Sequence, residues 1–254
     1  MTIELQAAAL LAAQASADPM LEARGLTKRF GSAMALDDVS LSVRPGEVVA
    51  LLGANGAGKT TTISLFLGLL APTTGQALVA GQDVSADPAT ARAALGYLPE
   101  VVSLYPTLTG IETLQYFNDL AGRPALAAAD AHALLGRVGL AEDQADKRVG
   151  LYSKGMRQKV GLALALAKRA RALVLDEPLS GLDPAAANDL VGLIKQVAAE
   201  GVAVLMATHD IFRAHDVADR LCIMRHGRLV ATVEASALDA AATERLYLEH
   251  MRAA

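Results

Sequence analysis

The sequence has no tryptophan, a single cysteine and only 4% aromatic residues. A chain with 53% hydrophobic residues and so few rings builds an aliphatic, alanine-rich core. The lone Cys222, in Leu221-Cys-Ile-Met224, has no partner within the chain, which excludes a disulfide framework and fits a buried thiol in a reducing compartment. No stretch reaches the roughly 18 uncharged apolar residues of a membrane span. The best candidate, Val160–Ala167, is short and ends at Lys168-Arg169. Basic residues are no excess either: 23 Lys and Arg stand against 27 Asp and Glu, a net charge of -4. That balance argues against a broadly basic nucleic-acid surface, though not against a local basic patch. Finally, no Lys or Arg precedes Arg24. Ala7–Ala13 followed by Ala15-Ser-Ala17 mimics a secretion signal, but the positive start of such a signal is missing. Residues 1–19 are therefore read as an N-terminal extension, helical or disordered, with Met20–Leu26 a natural beginning for the first strand.

What is present starts with Gly53-Ala-Asn-Gly-Ala-Gly-Lys-Thr60, which fits the phosphate-binding pattern G-x-x-x-x-G-K-[ST]. The apolar run Glu47–Leu52 before it reads as a buried parallel strand, and Thr61–Leu70 after it as a helix. Gly53, Gly56 and Gly58 allow the backbone, with Asn55 and Ala57 between them, to aim its N–H groups at an anion beside a helix N-terminus. Lys59 is placed to reach the β- and γ-phosphates of a nucleoside triphosphate. The Thr60 hydroxyl, followed by Thr61, is placed to ligate Mg²⁺.

A second apolar run, Ala172–Leu175, ends in Asp176-Glu177. Ligands of open α/β sheets sit at such strand ends. Asp176 suits Mg²⁺, and Glu177 suits polarising the water that attacks the γ-phosphate. Ser180–Asp183 forms a tight loop behind them, closed by the helix start Asp183-Pro184. The strand Gly201–Thr208 ends on His209, a residue able to hydrogen-bond the γ-phosphate or the water. His132, His215, His226 and His250 are read as surface or structural. Leu151–Gln158 adds another helix start, capped by Ser153 and exposing N–H groups near Gly155. One chain has little use for two phosphate-facing helix starts unless a partner supplies one of them.

These motifs, in this order, resemble the ATP-binding subunits of ABC transporters over residues 20–235. Gly53–Thr60 is similar to that family's Walker A, Leu173–Glu177 to its Walker B and Ser180–Asp183 to its D-loop. Tyr152–Met156 is similar to its signature motif, and His209 to its switch histidine. The resemblance implies ATP and Mg²⁺ as ligands, and a head-to-tail dimer in which Ser153, Lys154, Gly155 and Met156 of one subunit complete the site of the other. It also implies an integral membrane permease as partner, at the cytoplasmic face of the inner (cell) membrane, and no nucleic acid. Lys154 and Met156 replace a glycine and a glutamine of the signature. Glu100 stands where the family has a Mg²⁺-ligating glutamine, and Phe30 where it has an adenine-stacking aromatic. Tyr97-Leu-Pro-Glu100 together with Tyr152-Ser-Lys-Gly-Met-Arg-Gln158 resembles the bacterial ABC-2 type exporter subgroup. A looser similarity is to the ATPase subunit of the copper-maturation transporter for nitrous oxide reductase.

The fold expected is α/β: a P-loop NTPase core of mostly parallel sheet with flanking helices, an antiparallel β flank over 21–52 and 77–84, and an inserted helical subdomain near 91–170. Residues 20–235 form the ATPase domain and 236–254 a short helical tail. The apolar and aromatic stretch 97–118, with Val101–Tyr105 at its centre, is expected to receive the permease. The competing reading, a soluble ABC-type ATPase acting on nucleic acid or ribosomes, typically brings a second cassette, coiled-coil insertions or basic arms, and none is visible. A P-loop GTPase would carry N-K-x-D, which is absent.

Overall fold

The structure is a computed structural model and describes residues 18–252. The expected N-terminal extension thus lies almost wholly outside the described residues. Strands β1 (Leu21–Phe30), β2 (Ala33–Val43), β4 (Thr74–Val79) and β5 (Gln82–Asp83) form an antiparallel sheet in the order β2-β1-β4-β5. A six-stranded sheet runs β10-β9-β3-β8-β7-β6, from β3 (Val48–Leu52), β6 (Leu95–Leu98), β7 (Ala172–Asp176), β8 (Ala203–Thr208), β9 (Arg220–Arg225) and β10 (Arg228–Glu234). All its pairings are parallel except β9 with β10.

The apolar runs of β3, β7 and β8 are buried on both faces, so their side chains divide between two cores. Val48, Ala50, Leu52, Leu173, Leu175, Val204 and Met206 enter one core. Val49, Leu51, Ala172, Val174, Leu205, Ala207 and Cys222 enter the other. This is the period of two expected of a strand covered on both sides. Leu52 pairs with Thr208, Asp176 with Ala207 and Leu98 with Leu175. The parallel register therefore brings the segments after β3, β6, β7 and β8 to one edge, the C-terminal edge where α/β sheets bind ligands.

Helix α1 (Lys59–Phe66) follows β3, and α2 (Pro88–Ala94) precedes β6. Next come α3 (Gly110–Leu120), α4 (Ala128–Arg137), the single turn α5 (Glu142–Ala145) and α6 (Lys154–Ala167). Helices α7 (Pro184–Ala199), α8 (Ile211–Val217) and α9 (Ala240–Arg252) complete the chain. Local chemistry sets their starts. Thr109 and Glu112 form a reciprocal capping box on α3, and Asp183 accepts from the Ala186 N–H at 2.9 Å with Pro184 in the first turn of α7.

Some boundaries differ from the sequence expectation. Val48–Leu52 pairs with β8 and β9, outside the antiparallel flank. Within the mostly helical stretch 91–170, Leu95–Leu98 is strand β6 of the main sheet. Four residues carry too little periodicity to signal a strand; what marks it is Gly96, where a Cβ would lie 2.6 Å from both Ala165 Cβ and Leu173 Cδ2. Helix α1 stops at Phe66 instead of reaching Leu70, because the chain turns through Gly68 at φ 63°.

Candidate functional site

The loop between β3 and α1 turns through Gly58 at φ 112°, a conformation open to glycine, and a Cβ there would meet Leu36 Cδ2 at 2.7 Å. Helix α1 has no side-chain cap and no acidic residue in its first turn. Its first N–H groups and positive dipole end therefore have no competing anion within the helix. The loop and α1 open on a cleft of about 350 Å³ lined by Asn55, Gly56, Gly58, Lys59, Thr60, Thr61, Glu100, Asp176 and Glu177, with Ala54 and Ala35. Ala57 instead turns into the core, and Gly53 contributes its carbonyl, which accepts from Lys59 Nζ at 2.6 Å. Lys59 is only 6% exposed, and its Nζ lies 3.7 Å from Glu177 Oε1.

Asp176 ends β7. Burial pushes its carboxyl pKa up, and the charges of Glu177 and Glu100 push it further, against the pull of Lys59 and the Thr60 hydroxyl. Glu177 follows at φ 47°, a strained angle for a residue that carries a Cβ, held by its N–H donating to the Ala207 carbonyl at 2.9 Å. Its Oε1 lies 2.9 Å from His209 Nδ1. Since a carboxylate only accepts, Nδ1 carries the hydrogen, and in the neutral ring Nε2 is then the free acceptor. Its Oε2 accepts from the Thr208 hydroxyl at 3.1 Å and faces the His209 N–H at 3.4 Å.

Glu100 sits two residues past β6. Its Oε1 accepts from the Ser180 hydroxyl at 3.3 Å, and its backbone carbonyl accepts from Gln158 Nε2 at 3.0 Å. Gln158 is almost wholly buried, and its Oε1 has no partner. Ser153 caps α6 by accepting from the Met156 N–H at 3.2 Å. Gly155 is buried beside Ala186, Met156 packs against the core, and Lys154 extends over Gly181. None of Ser153, Lys154, Gly155 and Met156 lines the cleft of their own chain. Asp183 is occupied as the cap of α7. Phe30 is 49% exposed at the end of β1, with Lys28 Nζ 5.0 Å from its ring centre, and it does not line the cleft.

Sequence reasoning missed Ala35, Gln158 and Thr208. Thr208 had a usable signal, as the last residue of a strand leading into the histidine. Gln158 had none beyond lying on the signature helix. Of the stretch expected to face a partner, Leu98 is buried, whereas Tyr97, Val101, Tyr105 and Tyr116 are exposed. Tyr105, Tyr116 and Phe117 cluster there with ring centres 5.1–6.3 Å apart.

Comparison with known proteins bears on what this arrangement is. A family model described as "ABC transporter" matches residues 36–180. An uncharacterized ABC transporter ATP-binding protein of Bacillus subtilis is 39% identical over 234 residues, 92% of this chain and 75% of that protein. The Nod factor export ATP-binding protein I of Burkholderia orbicola is 37% identical over 83% of this chain and 69% of its own length. Among solved structures, an ATP binding subunit of an ABC transporter is 32% identical with a TM-score of 0.79, covering 92% of this chain and 100% of that one. The ATP-binding cassette MJ0796, dimeric in a post-hydrolysis state with ADP and Pi, is 25% identical with a TM-score of 0.75, covering 85% and 99%. A P-loop facing paired carboxylates, on a chain so matched, belongs to the ABC transporter family as its ATP-binding, ATP-hydrolysing subunit.

Proposed function

We propose that two copies of this chain close head to tail around ATP and that the closing and reopening drive a separate membrane permease, in the direction of export. The observation that carries the reading is a division of labour. Lys59, Thr60, Glu100, Asp176 and Glu177 converge on one cleft, while the capped start of α6 at Ser153 stands outside it. A second helix start able to face an anion has little use in one chain unless another copy brings a nucleotide to it. Support comes from the dimeric state of the MJ0796 cassette and the export role in the name of the Burkholderia relative.

In this reading Lys59 and the α1 N-terminus hold the β- and γ-phosphates, with Phe30 against the adenine. Glu177 accepts the proton of the attacking water, and His209 Nε2, the acceptor nitrogen of the neutral ring, takes a hydrogen bond from that same water. Lys154 adds a positive charge to the start of α6 where it faces the partner's nucleotide. The D-loop, Ser180–Asp183, sits against Glu100 through Ser180.

Mg²⁺ fits the donors present. Thr60, Glu100 and Asp176 offer only oxygen, the choice of a hard cation, and the mutual repulsion around Asp176 is what a cation relieves. Among the described residues no cluster of His, Cys, Asp and Glu could hold a metal alone, in keeping with an ion that shares its coordination with nucleotide phosphates. When bound, the cation neutralises charge on the phosphate oxygens.

No described helix is long and apolar enough to cross a membrane, so attachment to the cytoplasmic face of the cell membrane runs through the permease. Val101, Tyr105 and Tyr116 offer it an exposed apolar surface. A cleft of about 330 Å³, lined by Leu67, Leu69, Leu95, Tyr97 and Leu164 with Arg92 and Lys168 among them, offers a second surface. The nitrous-oxide-reductase similarity has no support in the relatives above and is not part of the proposal.

The test is a gentle-detergent pull-down of the tagged protein from native membranes. A polytopic membrane protein recovered at comparable stoichiometry supports the reading. Recovery from the soluble fraction alone, or with ribosomes or nucleic acid, contradicts it.

A further inference from the structure

Thr208 is the last residue of β8 and is 4% exposed. Its hydroxyl has two partners. Oγ1 lies 3.1 Å from Glu177 Oε2 and 3.1 Å from the backbone N of Asp210. The directions of both bonds follow from valence. The Asp210 N–H can only donate, so Oγ1 accepts from it. The Glu177 carboxylate can only accept, so the single hydroxyl hydrogen of Thr208 goes to Oε2. The hydroxyl rotor is thereby fixed, with no freedom to turn elsewhere.

This leaves the two oxygens of Glu177 in different states. Oε2 is tied to the end of β8 by Thr208, with the His209 N–H as a longer second donor. Oε1 faces the His209 ring at 2.9 Å and the ammonium of Lys59 at 3.7 Å, and of these two only Lys59 belongs to the phosphate-binding loop. The backbone of Glu177 is in the left-handed region, so its side chain leaves the main chain at an angle the strand does not dictate. With the His209 ring on Oε1, the Thr208 hydroxyl on Oε2 completes the constraint on the carboxylate plane.

We infer that Thr208 is a positioning residue for hydrolysis: its hydroxyl pins Glu177 Oε2, and Oε1, with the lone pair that His209 Nδ1–H does not use, is the oxygen that takes the proton of the attacking water. The same hydroxyl secures the Asp210 N–H at the start of α8, so the loop bearing His209 and the carboxylate of Glu177 are set by one group. The inference rests on the reading of Glu177 as the base.

The experiment measures single-turnover ATP hydrolysis and equilibrium nucleotide binding for Thr208→Val, Thr208→Ser, Glu177→Gln and the double variant Thr208→Val/Glu177→Gln. Valine keeps the shape and removes the hydroxyl. Thr208→Val is expected to lower the hydrolysis rate about tenfold, the scale of a lost hydrogen bond to a charged group, with nucleotide affinity unchanged. Thr208→Ser, which restores the hydroxyl, recovers most of the rate. In the Glu177→Gln background the valine change adds little, because the two residues act through one carboxylate. An unchanged rate in Thr208→Val alongside a slow Glu177→Gln overturns the inference and leaves the base assignment standing. Equal losses from valine in both backgrounds, or a serine variant as slow as valine, also overturn it, since either marks a packing role. Near wild-type turnover in Glu177→Gln overturns the base assignment and the inference with it.

Discussion

His209 Nδ1 lies 2.9 Å from Glu177 Oε1, so the strand-end histidine and the strand-end carboxylate are directly joined across neighbouring β8 and β7. The bond fixes the imidazole tautomer and turns Nε2 outward, where the ring is more than half exposed. The carboxylate proposed to polarise water and the ring beside it are thus one unit. Removing the charge of Glu177 while keeping its shape separates binding from chemistry. Glu177→Gln is expected to slow turnover on the order of 100-fold or more while ATP still binds. Steady-state phosphate release and nucleotide binding measured on the same preparation check both halves.

Lys59 acts earlier. Its ammonium is buried, held by the Gly53 carbonyl, and within 4 Å of Glu177. Lys59→Ala removes the charge proposed to meet the phosphates and leaves the Glu177 carboxylate without the ammonium beside it. Nucleotide affinity itself is expected to fall, by tenfold or more on the scale of a charge-assisted contact. Isothermal titration with ATP reads the loss directly, and unaltered affinity would remove Lys59 from the binding site.

Glu100 accepts a hydrogen bond from Ser180 and is held from behind by Gln158. A glutamine can accept the same Ser180 bond through its own oxygen. Glu100→Gln is therefore expected to retain ATPase activity within about threefold, well inside the loss expected for a deleted contact to a charged group. Complete loss in a phosphate-release assay would show that the negative charge at position 100 is itself required.

Asp176 carries an electrostatic conflict, because burial and then Glu177 and Glu100 raise its pKa above the ordinary carboxylate value. The sign follows from linkage. With the folded carboxyl harder to ionise than the unfolded one, its contribution to stability is full below the ordinary carboxylate pKa and is lost as pH rises through the raised value. Asp176→Asn is expected to raise the melting temperature at neutral pH by about 2 °C or more and to abolish turnover. The gain should shrink in acid, where the aspartate is protonated in both states. Melting curves across pH in the absence of nucleotide test it, and a lower melting temperature at neutral pH would contradict it.

How much of this was legible in the sequence depends on how local each signal is. The P-loop, the β7 carboxylates and the caps Ser153 and Asp183 are set by neighbouring residues, and each is where the residues alone place it. Strand β6 was hidden because four residues with a glycine among them resemble the helical surroundings, and their pairing partner β7 lies more than seventy residues away. The left-handed backbone of Glu177 was equally unreadable. It arises from a bond to Ala207, set by the register of β7 on β8. Long-range partners also decided Leu98, which lies in the apolar and aromatic stretch 97–118 and which the sheet draws into the core.

Completion of the site by a second copy of the chain makes nucleotide binding and dimerisation one event. Sedimentation velocity of the Glu177→Gln protein with and without ATP addresses it, since this variant is expected to bind nucleotide without consuming it. Monomer alone and dimer with ATP are expected, with a return to monomer when Ser153→Arg is added to block the start of α6. A protein that remains monomeric at saturating ATP, or a dimer indifferent to the Ser153 change, would contradict it.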